Sequence, residues 1–393
     1  MNLSVFRVLL CVAILLPQVP TTYAQKEVGR PVALPPIRLG AISTLSGGPA
    51  EFDTVGKAVR AYLSRLNASG GIGGRQVELI EEDDKGDPRV AAALATKLIE
   101  RDQVVAQIGG ASLLECAVNA KAYAAVDLVS IPGLALDASC FRSPQIAPVN
   151  AGPYAQLTVA LRFASDHLKA QRVCVFRMGV PAPVKQALDA EMVSWGKRGS
   201  KPVLLDVGDV QYADSPLMHL QRAVDARCDA LVFAGPAPVV AGFAKAARKV
   251  SGTPPALIFL GAAYTKQMVE QLGADGEGIY AMSEFEPWSS RSGALSDWRE
   301  LMTRNKVPLT SSSQGGYVAA QVIERVLRSI KGEINRQSVS QAFRALERYD
   351  SPMLGVPFKF GNGQTHHPNR AVIPVRLVGG SWRIAHHEWL IVD

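Results

Sequence analysis

Residues Asn67 to Pro88 read NASGGIGGRQVELIEEDDKGDP, and the order of their punctuation decides the fold class. The pair Gly70-Gly71 ends a helix, Gly73-Gly74 makes a short turn, and the stretch from Gln76 to Glu81 is a strand running into an acidic turn. Asp87-Pro88 then opens the next helix. The Asp carboxylate accepts amide protons that have no helical partner, and Pro at the first helical position has no N–H to lose. This is one βαβ unit, whose two strands are expected to lie parallel in a sheet covered on both faces.

Working outward, short apolar strands alternate with helical periods. Strands are expected at 37–43, 77–81, 104–108 and 129–132, with helices at 55–68, 88–101 and 113–125 between them. A second series has strands at 173–176, 203–207, 231–234 and 257–260, with helices at 153–168, 183–195, 216–226, 238–250 and 265–272. Two such series, breaking near Asn150–Pro153, argue for two α/β lobes built on parallel sheets. The tail changes rhythm. Helical stretches at 293–305, 316–331 and 338–346 precede strands at 358–360, 371–378 and 382–392, the last two joined by Gly379-Gly380-Ser381. A tail of that kind completes lobes already begun, so the chain is expected to cross between them more than once.

The totals narrow the function. A chain of 393 residues with 48% hydrophobic and 20% charged residues suits a globular protein of two domains. Residues 1–24 are expected to be a cleavable export signal: Arg7 is the positive end, 8–16 the apolar run, and Thr22-Tyr23-Ala24 the small-residue site before Gln25. That run is too short to span a bilayer, and Cys11 within it follows Leu10, which argues against a lipid anchor. The formal net charge of +7 is spread over helix faces without a Lys/Arg run or interleaved aromatics, so no nucleic-acid partner is expected. Beyond the signal lie Cys116, Cys140, Cys174 and Cys228. Cys116 and Cys140 flank the strand at 129–132 and are the disulfide candidate in an oxidising compartment, whereas Cys174 and Cys228 read as buried thiols.

No dinucleotide fingerprint, P-loop, HExxH, CxxC or GxSxG occurs, because Gly70–Gly74 follows a helix and precedes a strand. Glu81-Glu82-Asp83-Asp84 reads as a solvated turn, and His366-His367 with His386-His387 as solvated turn or strand positions. No catalytic residue, metal or cofactor is expected.

Ile37-Arg38-Leu39-Gly40 with Leu45-Ser46-Gly47, the Asn67–Pro88 stretch, Val105–Gly109, Val129–Gly133, Asp229–Gly235 and Gly276-Glu277-Gly278-Ile279-Tyr280 occur in that order. In these residues the chain resembles the Leu/Ile/Val-binding-protein-like solute receptors of ABC importers, the type I periplasmic binding proteins. The resemblance implies an α/β fold of two Rossmann-like lobes joined by three crossover segments, with the ligand cleft between them. It assigns 37–149 plus 281–352 to lobe 1 and 150–280 plus 353–393 to lobe 2.

Ligands of open parallel sheets bind outside the carboxyl ends of the strands, where helix N-termini present amides. Ser46, Ala111, Ser112 and Leu113 fall there, and hydroxyl and amide donors would suit a carboxylate. Ser46 and Ser112 are equally good helix caps. Phe52 lies where the family sets an aromatic against the ligand, or else is core. The segment holding Leu134 and Ala135 replaces a small-residue/Thr pair that grips a carboxylate in amino-acid-binding relatives. Gly261-Ala262-Ala263-Tyr264 stands where an acid for an α-ammonium is expected, leaving Tyr264 as a stacking or hydrogen-bonding candidate. Second-lobe tyrosines are replaced by Pro181-Ala182-Pro183 and Pro236-Ala237-Pro238. Glu284 or Asp137 could supply the missing negative charge. The expectation is a monomeric, non-enzymatic receptor in the periplasm. It would close on a small carboxylate-bearing solute, branched-chain amino acid-like or an aromatic or aliphatic acid, and deliver it to an inner-membrane ABC permease. The alternative is a sensory protein partnering a kinase or regulator.

Overall fold

Strand β1 (Ile37–Ser43) is buried at six of its seven positions, as a strand flanked by parallel neighbours under helices must be. On one side β2 (Val77–Asp83) pairs with it from Ile37↔Val77 to Ser43↔Asp83, and on the other lies β3 (Ala106–Ile108), followed by β4 (Ser130–Ile131). This four-stranded sheet runs β2-β1-β3-β4, all parallel. The structure, a computed structural model, describes residues 34–49, 51–179, 182–197 and 203–392. The expected signal at 1–24, with Arg7 and Cys11, and Pro181 lie outside the described residues.

The second sheet repeats the order. Strands β5 (Arg172–Met178), β6 (Val203–Val210), β7 (Ala230–Ala234), β8 (Ala256–Phe259) and β9 (Tyr280–Ser283) are parallel. The last strands, β10 (Ala371–Val378), β11 (Ser381–Ile384) and β12 (Leu390–Ile391), add antiparallel pairings, giving the order β11-β10-β9-β8-β7-β5-β6 with β12 against β10. Both sheets lie within one compact unit, Pro35–Asp393. The α/β class with parallel sheets therefore holds. Asp87 caps the helix Pro88–Thr96 as its sequence requires, accepting the Arg89 amide at 2.8 Å.

One core joins the first sheet to Trp298, Tyr317, Val318, Phe343, Phe358 and Phe360, so the chain returns from β9 to the first sheet before β10 rejoins the second. Three tail features differ from expectation. Residues 280–283 are a strand, β9. The stretch at 358–360 is reduced to one bridge, Tyr349 with Phe358, because Phe358 and Phe360 fill the first core. The helix expected from 316 starts five residues earlier as Ser311–Ser329, with a reciprocal Thr310/Ser313 capping box. Its glycines are packing residues: a Cβ at Gly315 would strike the Gly133 carbonyl, and one at Gly316 the Val55 carbonyl.

Cys116 and Cys140 are joined by a disulfide. So are Cys174 and Cys228, which overturns their reading as thiols. Strand β7 inserts beside β5, with Val173 opposite Ala230, and this brings the Cα atoms of Cys174 and Cys228 to 5.9 Å. No helix among the described residues is long and apolar enough to cross a membrane.

Candidate functional site

In each sheet the chain winds outward in both directions from a switch point, between β1 and β3 in the first and between β5 and β7 in the second. Loops leaving the carboxyl ends of those strands frame the crevice in which such sheets bind ligands. In the first sheet these are 44–49 and 109–114, with 133–137 after β4 alongside; in the second they begin at Gly179 and Gly235.

The first wall is apolar. Phe52, near the start of the helix Glu51–Ala68, forms a small cluster with Val55 and Ala111, and Leu134 and Leu136 pack against it. Phe52, Ala111 and Leu134 are thus brought together, and Leu113 on the neighbouring loop is 43% exposed. Ala135 is buried, with its amide and carbonyl both bonded to the Asn150 side chain.

Several backbone donors behind this wall already hold oxygens of the protein. Asp83 accepts the amides of Leu45 at 3.0 Å, Ser46 at 3.2 Å and Lys85 at 2.9 Å. Burial pushes the Asp83 carboxyl up, but the bonds from Ser46, Lys85 and Leu45 outweigh it and hold the group down at about 2. Ser112 donates its hydroxyl proton to the buried Asp84 and accepts the amides of Leu114 at 3.1 Å and Glu115 at 2.9 Å. The capping alternative therefore describes the Ser112 hydroxyl. The Leu113 amide donates to Thr44 Oγ1 at 3.1 Å, and the Ala111 amide to Ser43 Oγ at 3.2 Å. Ser46 itself is exposed at the rim.

The acidic run is accordingly no solvated turn. Asp84 is fully buried, and the Glu81 side chain is 3% exposed, paired with Arg60 at 2.6 Å and accepting from Ser43 at 3.0 Å. Beneath the site Glu115 accepts from Tyr123 Oη at 2.8 Å, and burial first, with Asp84 nearby, raises its carboxyl to about 7. His366 also departs from expectation, being buried against Phe360, and the rings of His167 and His386 lie 4.0 Å apart. No cluster fit to hold a metal occurs among the described residues.

On the second wall two prolines stand at a helix start. The helix Ala237–Ala246 begins at Pro236-Ala237-Pro238, and neither proline has an N–H to offer. Tyr264 does not join the cleft residues. It is 1% exposed, stacked on Trp288 at 4.8 Å and edge-on to Trp382 at 5.5 Å, and its hydroxyl lies 2.8 Å from Ser289 Oγ. Trp288 packs against the cluster of the first sheet and against that of Phe176, Phe233 and Phe259 in the second, and Tyr264 lies at that junction. Neither acid that could hold an α-ammonium is free. Glu284 is buried under three donors, and Asp137 caps the Ser139 amide at 2.8 Å. Sequence reasoning had no signal for the Asn150, Gln156 and Asn369 side chains that hold this region.

A family model described as periplasmic binding protein matches residues 36–381. The chain belongs to the periplasmic binding protein family. Its fold is shared with a possible leucine/isoleucine/valine-binding protein from Rhodopirellula baltica: TM-score 0.77, 19% identity, over 91% of this chain and 98% of that one. An isoleucine complex of a branched-chain amino acid transporter substrate-binding protein from Streptococcus pneumoniae gives TM-score 0.75 and 16% identity over 91% and 100%. A fatty acid ABC transporter substrate-binding protein from Thermomonospora curvata gives 0.74 and 17% over 91% and 93%. A curated relative, an amino acid binding protein from Pseudomonas aeruginosa, is 30% identical over 78 residues, 20% of this chain. The match spans about a fifth of that relative's length (21%). For a periplasmic binding protein an extracytoplasmic location follows from the family, whose members are substrate-binding proteins.

Proposed function

We propose that this periplasmic binding protein is the receptor of an ABC importer for a small solute with an apolar body, which it binds without altering and passes to an inner-membrane permease. Residues 1–24 serve as its export signal. Its lobes are the bodies around the two sheets, with crossings near 149–152, after Ser283 and at Asn369, a few to some fifteen residues from the sequence expectation for the later two. The solute's body lies on Phe52, Ala111, Leu113, Leu134 and Leu136, facing the proline-rich start of the helix Ala237–Ala246. A carboxylate on it stays towards the solvent-exposed rim of the cleft.

The single observation that carries this choice is that Glu284 and Asp137, the acids that could hold an α-ammonium, are both engaged by donors of the protein itself. A free α-ammonium closed into such a cleft without a counter-charge costs several kcal/mol. Leucine, isoleucine and valine are therefore disfavoured against aliphatic or aromatic acids of similar body. The solute stabilises the closed form only through its differential affinity for it.

Native mass spectrometry of the purified protein identifies any retained solute. Thermal-shift screening then compares leucine, isoleucine and valine with phenylacetate, benzoate and C4–C8 fatty acids. Stabilisation by one of the acids is expected; stabilisation by the amino acids with every acid inert refutes the choice.

A further inference from the structure

Three stretches carry the chain between the two sheets, and one buried carboxylate stands where they meet. Glu284 directly follows β9 and is 4% exposed. Its Oε2 accepts from Asn150 Nδ2 at 3.2 Å, from the Gly152 amide at 3.0 Å and from Gln156 Nε2 at 2.8 Å. The Glu284 carbonyl accepts from Asn369 Nδ2 at 2.7 Å, and the same nitrogen donates to the Val149 carbonyl at 3.1 Å. All three crossings are thereby fastened to one another.

The partners' other ends lead to the cleft. Asn150 Oδ1 accepts the Ala135 amide at 2.9 Å, and its Nδ2 donates to the Ala135 carbonyl at 3.1 Å, fixing the loop after β4. Gln156 Oε1 accepts the Gly261 amide at 2.5 Å, fixing the loop after β8. A hydrogen-bonded series Ala135–Asn150–Glu284–Gln156–Gly261 therefore runs from a ligand-facing loop of one sheet to the equivalent loop of the other. Asn150 and Gln156 are 1% and 5% exposed, so water does not readily replace a partner that is removed.

We propose that Glu284 is a positioning residue for solute binding, whose carboxylate couples the Ala135 loop to the Gly261 loop so that the loops leaving β4 and β8 order together. This rests on the cleft assignment made above, but its test needs no solute. Three donors converging on one oxygen call for a charged acceptor. Burial raises the Glu284 carboxyl, and the bonds from Gly152, Gln156 and Asn150 work against that rise. A glutamine at 284 keeps the shape but offers the three donors a neutral oxygen in place of a charged one, or, turned over, sets its NH2 against them.

The experiment is amide hydrogen exchange on the ligand-free protein and on Gln156→Leu and Glu284→Gln. Gln156→Leu removes the acceptor of Gly261, whose exchange speeds up roughly tenfold. Coupling further requires Ala135, none of whose bonds is touched, to exchange several-fold faster in the same variant. Glu284→Gln speeds both. The Val232 amide in the middle of β7 keeps its wild-type rate in a folded variant. If Glu284→Gln fails to fold, Gln156→Leu decides alone. Acceleration confined to Gly261, with Ala135 at its wild-type rate, overturns the proposal and leaves the choice of solute untouched.

Discussion

Replacing both Cys174 and Cys228 by Ala removes a cross-link that the strand order alone creates. The bridge closes a separation of 54 residues, which the chain-entropy model equates to about 4 kcal/mol of stability. The Cys116–Cys140 bridge, with a separation of 24, comes to about 3.5 kcal/mol by the same relation. Cys174 is fully buried and Cys228 7% exposed, so trimming the sulfurs adds a packing loss of about 1 kcal/mol. Urea unfolding of the protein lacking residues 1–24, followed by circular dichroism, is expected to show the Cys174/Cys228 variant losing about 5 kcal/mol. The Cys116/Cys140 variant is expected to lose somewhat less. Thiol titration in denaturant without reductant gives the direct reading: no reactive thiol before reduction, and all four cysteines after it. Two thiols per chain before reduction, or a Cys174/Cys228 variant as stable as wild type, refutes the bridge and the β5–β7 adjacency argument behind it.

Phe52→Ala empties a site only 2% exposed and is expected to cost about 3–5 kcal/mol in thermal or urea unfolding, with the acid-induced thermal shift lost as well. Tyr264→Phe removes the hydroxyl bonded to Ser289, costing about 1–2 kcal/mol while leaving the thermal-shift response unchanged; a lost response would return Tyr264 to the cleft. The folded carboxyl of Glu115 is raised to about 7, above its unfolded value, so its contribution is full below about pH 4.5 and falls away as pH rises towards 7, on the order of 3 kcal/mol in all. Glu115→Gln keeps an acceptor for Tyr123 and is expected to flatten that part of the stability–pH curve; an unchanged curve counts against it. Asp83 has the opposite sign: held at about 2, it contributes stability above its unfolded pKa that is lost as pH falls from about 4 to 2, and Asp83→Asn is expected to abolish that loss in acid titrations of unfolding.

Periodicity and punctuation in the chain were enough for the first four strands, the capping of the helix at Pro88 and the α/β class, because those depend on residues close in sequence. The tail was harder. Ser312, Ser313 and Gly315 fall before the helix expected from 316, yet they begin it, and its glycines answer to the Gly133 and Val55 carbonyls far away in sequence. Three of the cleft residues read from the chain, Phe52, Ala111 and Leu134, do lie together, since they sit at fixed offsets from the ends of β1, β3 and β4. Tyr264 sits at such an offset too, but its ring turned to Trp288.

Local sequence thus settled where helices and strands start, which faces are apolar, and which catalytic and phosphate-binding motifs are missing. Only the tertiary structure decided who pairs with whom: that Cys174 meets Cys228, that Asp83 and Asp84 hold the loops after β1 and β3, and that Glu284 is bonded by Asn150, Gly152 and Gln156. The reason is physical. A strand or cap is fixed by neighbours within a few residues, whereas the partner of a buried charge or sulfur is set by sheet order and chain crossings, which bring together residues tens to hundreds of positions apart.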